Sequence, residues 1–340
     1  MVKKLTVKNF GPIKDVEIEL TKNMIFIGPQ SSGKSTLAKL IAICADIDLE
    51  NSKHIHGSWF YSLLPFYNIQ GYLSESTYIE IRFGEERIVL KDGIRLMIEN
   101  LIPQGVTYIP SERSILPILS NSIMSLTSSG VPIPKNILFF GGEFEKTRNI
   151  IGAMNGKLPI FNDITYKYDG GIDKLVLDEK TIIKLSEASS GFQSAIPMLM
   201  VLQVEKMMKN HSFVVEEPEQ NLYPTSQKAM AYFLAECCSR QSNLFCITTH
   251  SPYILTSLNN CLLAHQSGHK NEVETTKVIP KSQWLDPKKF SAYYVGNGTV
   301  KSIFNKEEEL IDEDYLDSAS DDILYDFDRL LDLLYDERED

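Results

Sequence analysis

Cysteine is scarce in this sequence: Cys44, Cys237, Cys238, Cys246 and Cys261 are the five in 340 residues, and no two form a C-x-x-C pair. Neither a zinc spacing nor a disulfide framework is indicated, and four of the five sit in apolar, helix- or strand-like stretches as buried thiols. No apolar run nears the ~20 residues needed to span a bilayer. The opening residues 1–7 go straight into strand alternation without a signal-peptide core, so the expectation is a cytoplasmic protein with no membrane partner. Internal repeats and heptad runs long enough for a coiled-coil arm are also missing, and the six histidines form no H-N-H nuclease constellation. Basic residues are few toward the end of the sequence. Residues 306–340 hold sixteen Asp or Glu against three Lys or Arg, a balance of −13 within a net charge of −11, which leaves +2 for residues 1–305. A near-neutral body neither supports nor excludes nucleic-acid binding, which depends on where basic residues cluster in space. With 43% hydrophobic and 23% charged residues, the composition is that of a globular protein able to bury a large core.

What is present begins with Gly28-Pro29-Gln30-Ser31-Ser32-Gly33-Lys34-Ser35-Thr36, which follows the apolar run 24–27 and precedes the helix-like 37–42. A glycine-rich loop joining a strand to a helix in this pattern is a phosphate-binding P-loop. Its backbone N–H groups line an anion site at the positive end of the helix, Lys34 reaches β- and γ-phosphates, and the Ser35 hydroxyl coordinates Mg²⁺.

Around it, strands are expected over 5–7, 16–20 and 24–27, with Gly11-Pro12 as a turn. The aromatic-rich segment 46–104 reads as an inserted lobe with a hairpin, 79–83 and 87–90; its aromatics (Trp59, Phe60, Tyr61, Phe66, Tyr67, Tyr72) read as core. Residues 120–136 are linker-like. Strands return at 164–168 and 174–177 across Asp169-Gly170-Gly171, and at 181–185. From residue 191 the order is helix 198–209, strand 212–215, helix 224–240 and strand 244–248, which implies parallel strands with crossover helices. Strand-like 273–279 and the segment 290–303 complete this unit.

Phe213-Val214-Val215-Glu216-Glu217-Pro218-Glu219 places two carboxylates directly after a short buried strand, about 180 residues beyond the P-loop. It reads as a Walker B motif, with Glu216 holding Mg²⁺ and Glu217 orienting or deprotonating the attacking water. The strand 244–248 ends in Thr248-Thr249-His250-Ser251-Pro252, and a histidine there can donate to a γ-phosphate and report its presence. Between the P-loop and Glu216 lies Leu185-Ser186-Glu187-Ala188-Ser189-Ser190-Gly191-Phe192-Gln193. Small hydroxyl residues and a glycine at a helix start are either a plain capping loop or a second anion site without a phosphate of its own in the same chain.

These four motifs in this order resemble the ATP-binding-cassette (ABC) ATPases over residues 1–305. More closely they resemble the branch containing RecF, the SMC proteins and the ATPase domain of overcoming-lysogenization-defect (OLD) proteins. Glu216-Glu217-Pro218-Glu219-Gln220-Asn221-Leu222-Tyr223-Pro224 is similar to the OLD-type Walker B, and Tyr108-Ile109-Pro110-Ser111-Glu112-Arg113-Ser114 and Val7-Lys8-Asn9-Phe10-Gly11-Pro12-Ile13 look like that group too. The resemblance implies an α/β P-loop NTPase of ABC type: an antiparallel β lobe, a parallel α/β core and a helical signature lobe around 185–210. It further implies a homodimeric or higher head-to-tail ATP sandwich, in which Ser189, Ser190 and Gly191 of one protomer face the γ-phosphate held by Gly28–Thr36 of the other. Asn221 and Leu222 would lie in the D-loop that crosses the interface, and Gln104 is the candidate Q-loop glutamine.

OLD nucleases carry a C-terminal Toprim domain of on the order of a hundred residues with Glu and Asp-x-Asp metal ligands. Only 90 residues follow His250, and Asp312-x-Asp314 lacks a surrounding strand pattern; the expectation is no nuclease within this sequence. In the acidic tail, 306–340, Ile323, Phe327, Leu330, Leu331 and Leu334 share one helical face. That face either packs on its own domain or docks another protein. The reading favoured is an ATP-dependent switch, the regulatory ATPase of a prokaryotic anti-phage defence system that controls a separate effector. The alternatives are a RecF- or SMC-like DNA-repair ATPase that binds DNA, a transporter nucleotide-binding subunit, and a nucleotide-binding scaffold with little turnover.

Overall fold

The computed structural model describes residues 3–45, 58–83, 86–91, 95–99, 105–119, 126, 128–206, 211–240, 244–312 and 324–331. Strands β1 (Lys3–Phe10) and β2 (Ile13–Glu19) form an antiparallel hairpin. Their alternation buries Leu5, Val7, Val16 and Ile18. β3 (Asn23–Ile27) is buried along its whole length and runs through the P-loop into α1 (Lys34–Ala45). After α2 (Ser58–Phe66) come β4 (Tyr78–Phe83), β5 (Glu86–Lys91) and β6 (Arg95–Glu99). The expected hairpin is β4–β5, β6 lengthens it, and all three continue the first sheet in the antiparallel order β2-β1-β4-β5-β6. Phe60 and Tyr67 from the aromatic segment are each 1% exposed and belong to the core, whereas Tyr72, expected there too, is 37% exposed and packs edge-on against Phe10.

The second half contains β7 (Gly105–Ile109), α3 (Lys135–Ala153), β8 (Thr165–Asp169), β9 (Ile172–Val176), β10 (Ile182–Lys184) and α4 (Ser190–Glu205). It continues with β11 (His211–Glu216), α5 (Pro224–Arg240), β12 (Phe245–Thr249), α6 (Pro252–Lys270), α7 (Glu272–Val278), β13 (Phe290–Gly296) and β14 (Thr299–Ser302). β8, β9 and β10 form a small antiparallel sheet beside α3 and α4. The central sheet has the order β14-β13-β3-β12-β11-β7, parallel except for β14. This is the expected α/β P-loop fold with an antiparallel β lobe, a parallel core and a helical lobe.

Both faces of the central sheet are covered, as near-continuous apolar strands require. Ile25, Val215 and Ile247 pack with α4, α5 and α6 on one side. Met24, Phe26, Val214 and Cys246 pack on the other with α1 and the first sheet. Cys237, Cys238, Cys246 and Cys261 are buried and outside any disulfide, while the Cys44 side chain lies outside the described residues.

Two further expectations are corrected. Residues 272–278 are helical, not a strand: the Asn271 side chain accepts the Glu274 N–H at 3.2 Å, and Glu272 and Glu274 suit the positive end of the helix. These local terms outweigh the β-branched content that suggested a strand. Helix α4 starts at Ser190 rather than Met198, so Pro197 lies inside it and leaves the Gln193 carbonyl without its helical donor. In the tail, residues 324–331 are helical, with Leu324, Tyr325, Phe327 and Leu330 all more than half exposed.

Candidate functional site

The carboxyl ends of β3, β12 and β11 lie side by side, with Thr249 opposite Ile27 and Glu216 opposite Thr248. In open parallel sheets this edge is where ligands bind. The P-loop rises from β3 in a shape that only small residues permit. Gly28 has φ +151°, and a Cβ there would stand 2.1 Å from the Val295 carbonyl oxygen. Gly33, at φ +107°, would meet Ile13 at 2.4 Å. Pro29, Gln30 and Ser31 form the exposed rim; Ser32, Lys34 and Thr36 are buried, with Ser35 half-buried. The Lys34 ammonium donates to the carbonyls of Gly28 at 2.9 Å and Pro29 at 2.8 Å. Burial pulls its pKa down to about 8, against the carboxylates of Glu217, Glu219 and Glu216.

Glu216 ends β11 and is 2% exposed, and its Oε1 is buried without a hydrogen-bond partner. Burial raises its pKa, opposed by the charge of Lys39 and by the Tyr108 and Ser35 hydroxyls. A buried carboxylate oxygen lacking a donor, beside the P-loop serine, is an oxygen pair that suits Mg²⁺. Glu217 turns away from the strand at φ +44°, its N–H bonded to the Thr248 carbonyl at 2.9 Å. Its Oε1 lies 3.4 Å from His250 Nε2. That contact holds the Glu217 carboxyl below the usual range, and the charges of Arg113 and Lys34 act in the same sense. The His250 N–H in turn donates to Glu219 Oε1 at 2.7 Å. The sequence motif contains Glu219 without indicating this anchoring contact, which forms only when β11 and β12 lie side by side.

Ser189 and Ser190 open α4 with exposed hydroxyls, and Ser189 caps no backbone N–H. Among the described residues no hydrogen bond joins them to the P-loop. Gly191 packs on the turn after Glu217, where a Cβ would come 2.7 Å from the Asn221 carbonyl oxygen. Ser194 in the same helix donates to Gln220 Oε1 at 3.1 Å. Gln104 lies outside the described residues.

Sequence reasoning missed one functional side chain. Arg113 is completely buried, and its guanidinium donates to four main-chain carbonyls: Ser194 at 3.0 Å, Pro110 at 3.0 Å, Glu216 at 2.6 Å and Glu217 at 2.6 Å. Burial lowers its pKa to about 10, so the cation persists at neutral pH, with Glu219, Glu217 and Glu216 opposing the shift. In the sequence Arg113 stands out only as part of the Tyr108–Ser114 motif, with no role of its own.

The sequence pattern of the AAA ATPase domain matches residues 1–95 and 110–255. The chain belongs to the AAA ATPase domain family. Among solved structures, this AAA ATPase domain is similar to an SMC head bound to the C-winged helix domain of ScpA (12% identity, 89% of this chain and 96% of that one covered, TM-score 0.48). It is also similar to the SMC head domain from Thermotoga maritima (12%, 89% and 98%, 0.44). A third similar structure is the ADP conformation of an ATP-binding cassette of an ABC transporter (14%, 96% and 99%, 0.41). No curated protein matches the chain. Among the described residues of this AAA ATPase domain, no helix is long and apolar enough to cross a membrane.

Proposed function

We propose that this chain is an Mg²⁺-dependent ATPase whose ATP-bridged dimerisation works as a switch. The observation that carries the reading is the meeting of Lys34, Glu216, Glu217 and His250 at adjoining strand ends, while the serines of α4 are exposed and, among the described residues, make no hydrogen bond to the P-loop. Gly28–Thr36 cradle the triphosphate, and Lys34 exchanges its loop carbonyls for phosphate oxygens. Ser35 and Glu216 would hold Mg²⁺, which when bound neutralises charge on the β- and γ-phosphate oxygens. Glu217, ionised at working pH, orients the attacking water and takes its proton. His250, its backbone fixed by Glu219 and its ring 3.4 Å from Glu217, would sense whether a γ-phosphate is there. Ser189, Ser190 and Gly191 complete the site of a second protomer.

The motifs at residues 108–114 and 216–224 support a place among OLD-like regulatory ATPases of prokaryotic anti-phage systems, acting on a separate effector. The exposed apolar side chains at 324–330 support docking of that effector on the tail. Glu217→Gln is expected to run as a monomer without nucleotide and as a dimer with Mg-ATP in size exclusion with light scattering. A species of one mass under both conditions would sink the switch. Co-purification of a protein lost on removing residues 306–340 supports the effector reading, and recovery of DNA independent of the tail moves the assignment to a RecF-like clamp.

The Lys34 pKa adds a pH prediction. Phosphate binding needs the ammonium form, and the free protein gives up that proton as pH rises through about 8. Bound protein then holds more protons than free protein, so rising pH opposes binding. Apparent ATP affinity should be flat below about pH 7 and fall by up to about tenfold per pH unit above 8. Lys34→Arg, charged throughout, should lose that slope in nucleotide titrations at constant Mg²⁺.

A further inference from the structure

The network around Arg113 joins two places that serve different ATP sites. Its Nη atoms hold the carbonyls of Glu216 and Glu217, the residues that end β11 and carry this protomer's own catalytic carboxylates. Its Nε holds the Ser194 carbonyl in the first turns of α4, whose exposed serines face outward. Among the described residues no carboxylate pairs with it directly, and its four hydrogen bonds go to main-chain carbonyls. A buried cation with only backbone acceptors fixes the positions of the peptide groups it holds, because leaving them unpaired inside the protein is costly. Two further contacts lock the same pair of elements: Ser194 with Gln220, and Gly191 against Asn221. The helix and the catalytic turn therefore move as one piece.

We propose that Arg113 is a positioning residue that couples the two ATP sites of the dimer, transmitting the placement of Glu217 in one site to the α4 serines that complete the other. The proposal rests on the head-to-tail reading above. Arg113 is fully buried and its bonds go to main-chain carbonyls, so it acts on the rate through the groups it positions and leaves the P-loop affinity alone.

The test uses mixed dimers of the full chain, isolated with two different affinity tags in Mg-ATP. One protomer is wild type. The other carries Glu217→Gln, which silences its own site, either alone or together with Arg113→Lys. The remaining active site uses the wild-type Glu217 and the variant's α4. Adding Arg113→Lys should lower its kcat about tenfold, within the range found for residues that couple sites, with KM for ATP unchanged. Equal hydrolysis by the two mixed dimers overturns the coupling. If the Arg113→Lys chain does not fold, Gln220→Ala, which cuts the second link from α4 to the turn, is read in the same arrangement with the same two outcomes. Failure of the Glu217→Gln and wild-type chains to form any mixed dimer in Mg-ATP would instead overturn the head-to-tail reading, a result separate from an unchanged rate.

Discussion

Lys34→Ala is expected to weaken ATP binding about a hundredfold and to leave the nucleotide-free protein about as stable as the wild type. The first half follows from what the ammonium exchanges. Its bonds to the Gly28 and Pro29 carbonyls, at 2.9 and 2.8 Å, hold it in the loop. Phosphate oxygens offer full charges in place of those dipoles, and a hydrogen bond to a charged group contributes roughly 1.5–3 kcal/mol. The second half follows from burial. A lysine whose pKa falls to about 8 is charged at neutral pH at some cost to the fold. Removing it relieves that cost and forfeits the loop hydrogen bonds to the Gly28 and Pro29 carbonyls and a longer one to the Ser32 hydroxyl, so the gain and the loss offset to within about 1 kcal/mol. Nucleotide titration and thermal unfolding on the same preparation check both halves. Near-wild-type affinity would sink the phosphate role, while a large drop in thermal stability would make Lys34 a structural residue.

What could be read from the sequence was set by how local each signal is. The P-loop, Glu216, Glu217 and His250 each stand directly after a short buried strand, and a strand-end motif keeps its meaning whatever the rest of the fold does. The parallel run of β11 and β12 was expected from alternating helices and strands, while their order beside β3 was not. Contacts made by stacking distant segments were not legible. Arg113 reaches Ser194 and Glu216 across 81 and 103 residues, and Glu219 meets the His250 amide only once β11 and β12 pair. Pro197 pushed the expected start of α4 too late, because a proline inside a helix is costly unless packing compensates. Here Ile196, Met198 and Leu199 are wholly buried, and that burial keeps the helix running through the proline. The strand expected at 273–279 failed for the opposite reason: local capping at Asn271 outweighed residue preference on an exposed element.

Glu217→Gln should lower kcat by about a hundredfold to ten-thousandfold, the usual contribution of a positioned base, with ATP affinity within about twofold of wild type. Two adjacent carboxylates invite the question of which does what, and burial answers it. Glu216 is 2% exposed with one oxygen lacking a donor, a place for a cation and not for a water that must enter and leave. The Glu217 side chain is 32% exposed, faces His250 at 3.4 Å and is turned out of the strand by its left-handed backbone. Its lowered pKa keeps it ionised through the neutral range, so from above the carboxylate range up to about pH 8 both Glu217 and Lys34 are charged. The amide of glutamine keeps the size and most of the contacts and gives up the charge and the proton acceptor. Binding, which depends on the P-loop and Glu216, is then preserved while turnover stops, and the ATP-bridged dimer should outlast the wild-type one. Single-turnover hydrolysis together with light scattering measures both. If Glu217→Gln hydrolysed ATP within about threefold of wild type, proton removal would pass to His250. His250→Ala would then have to show the larger loss.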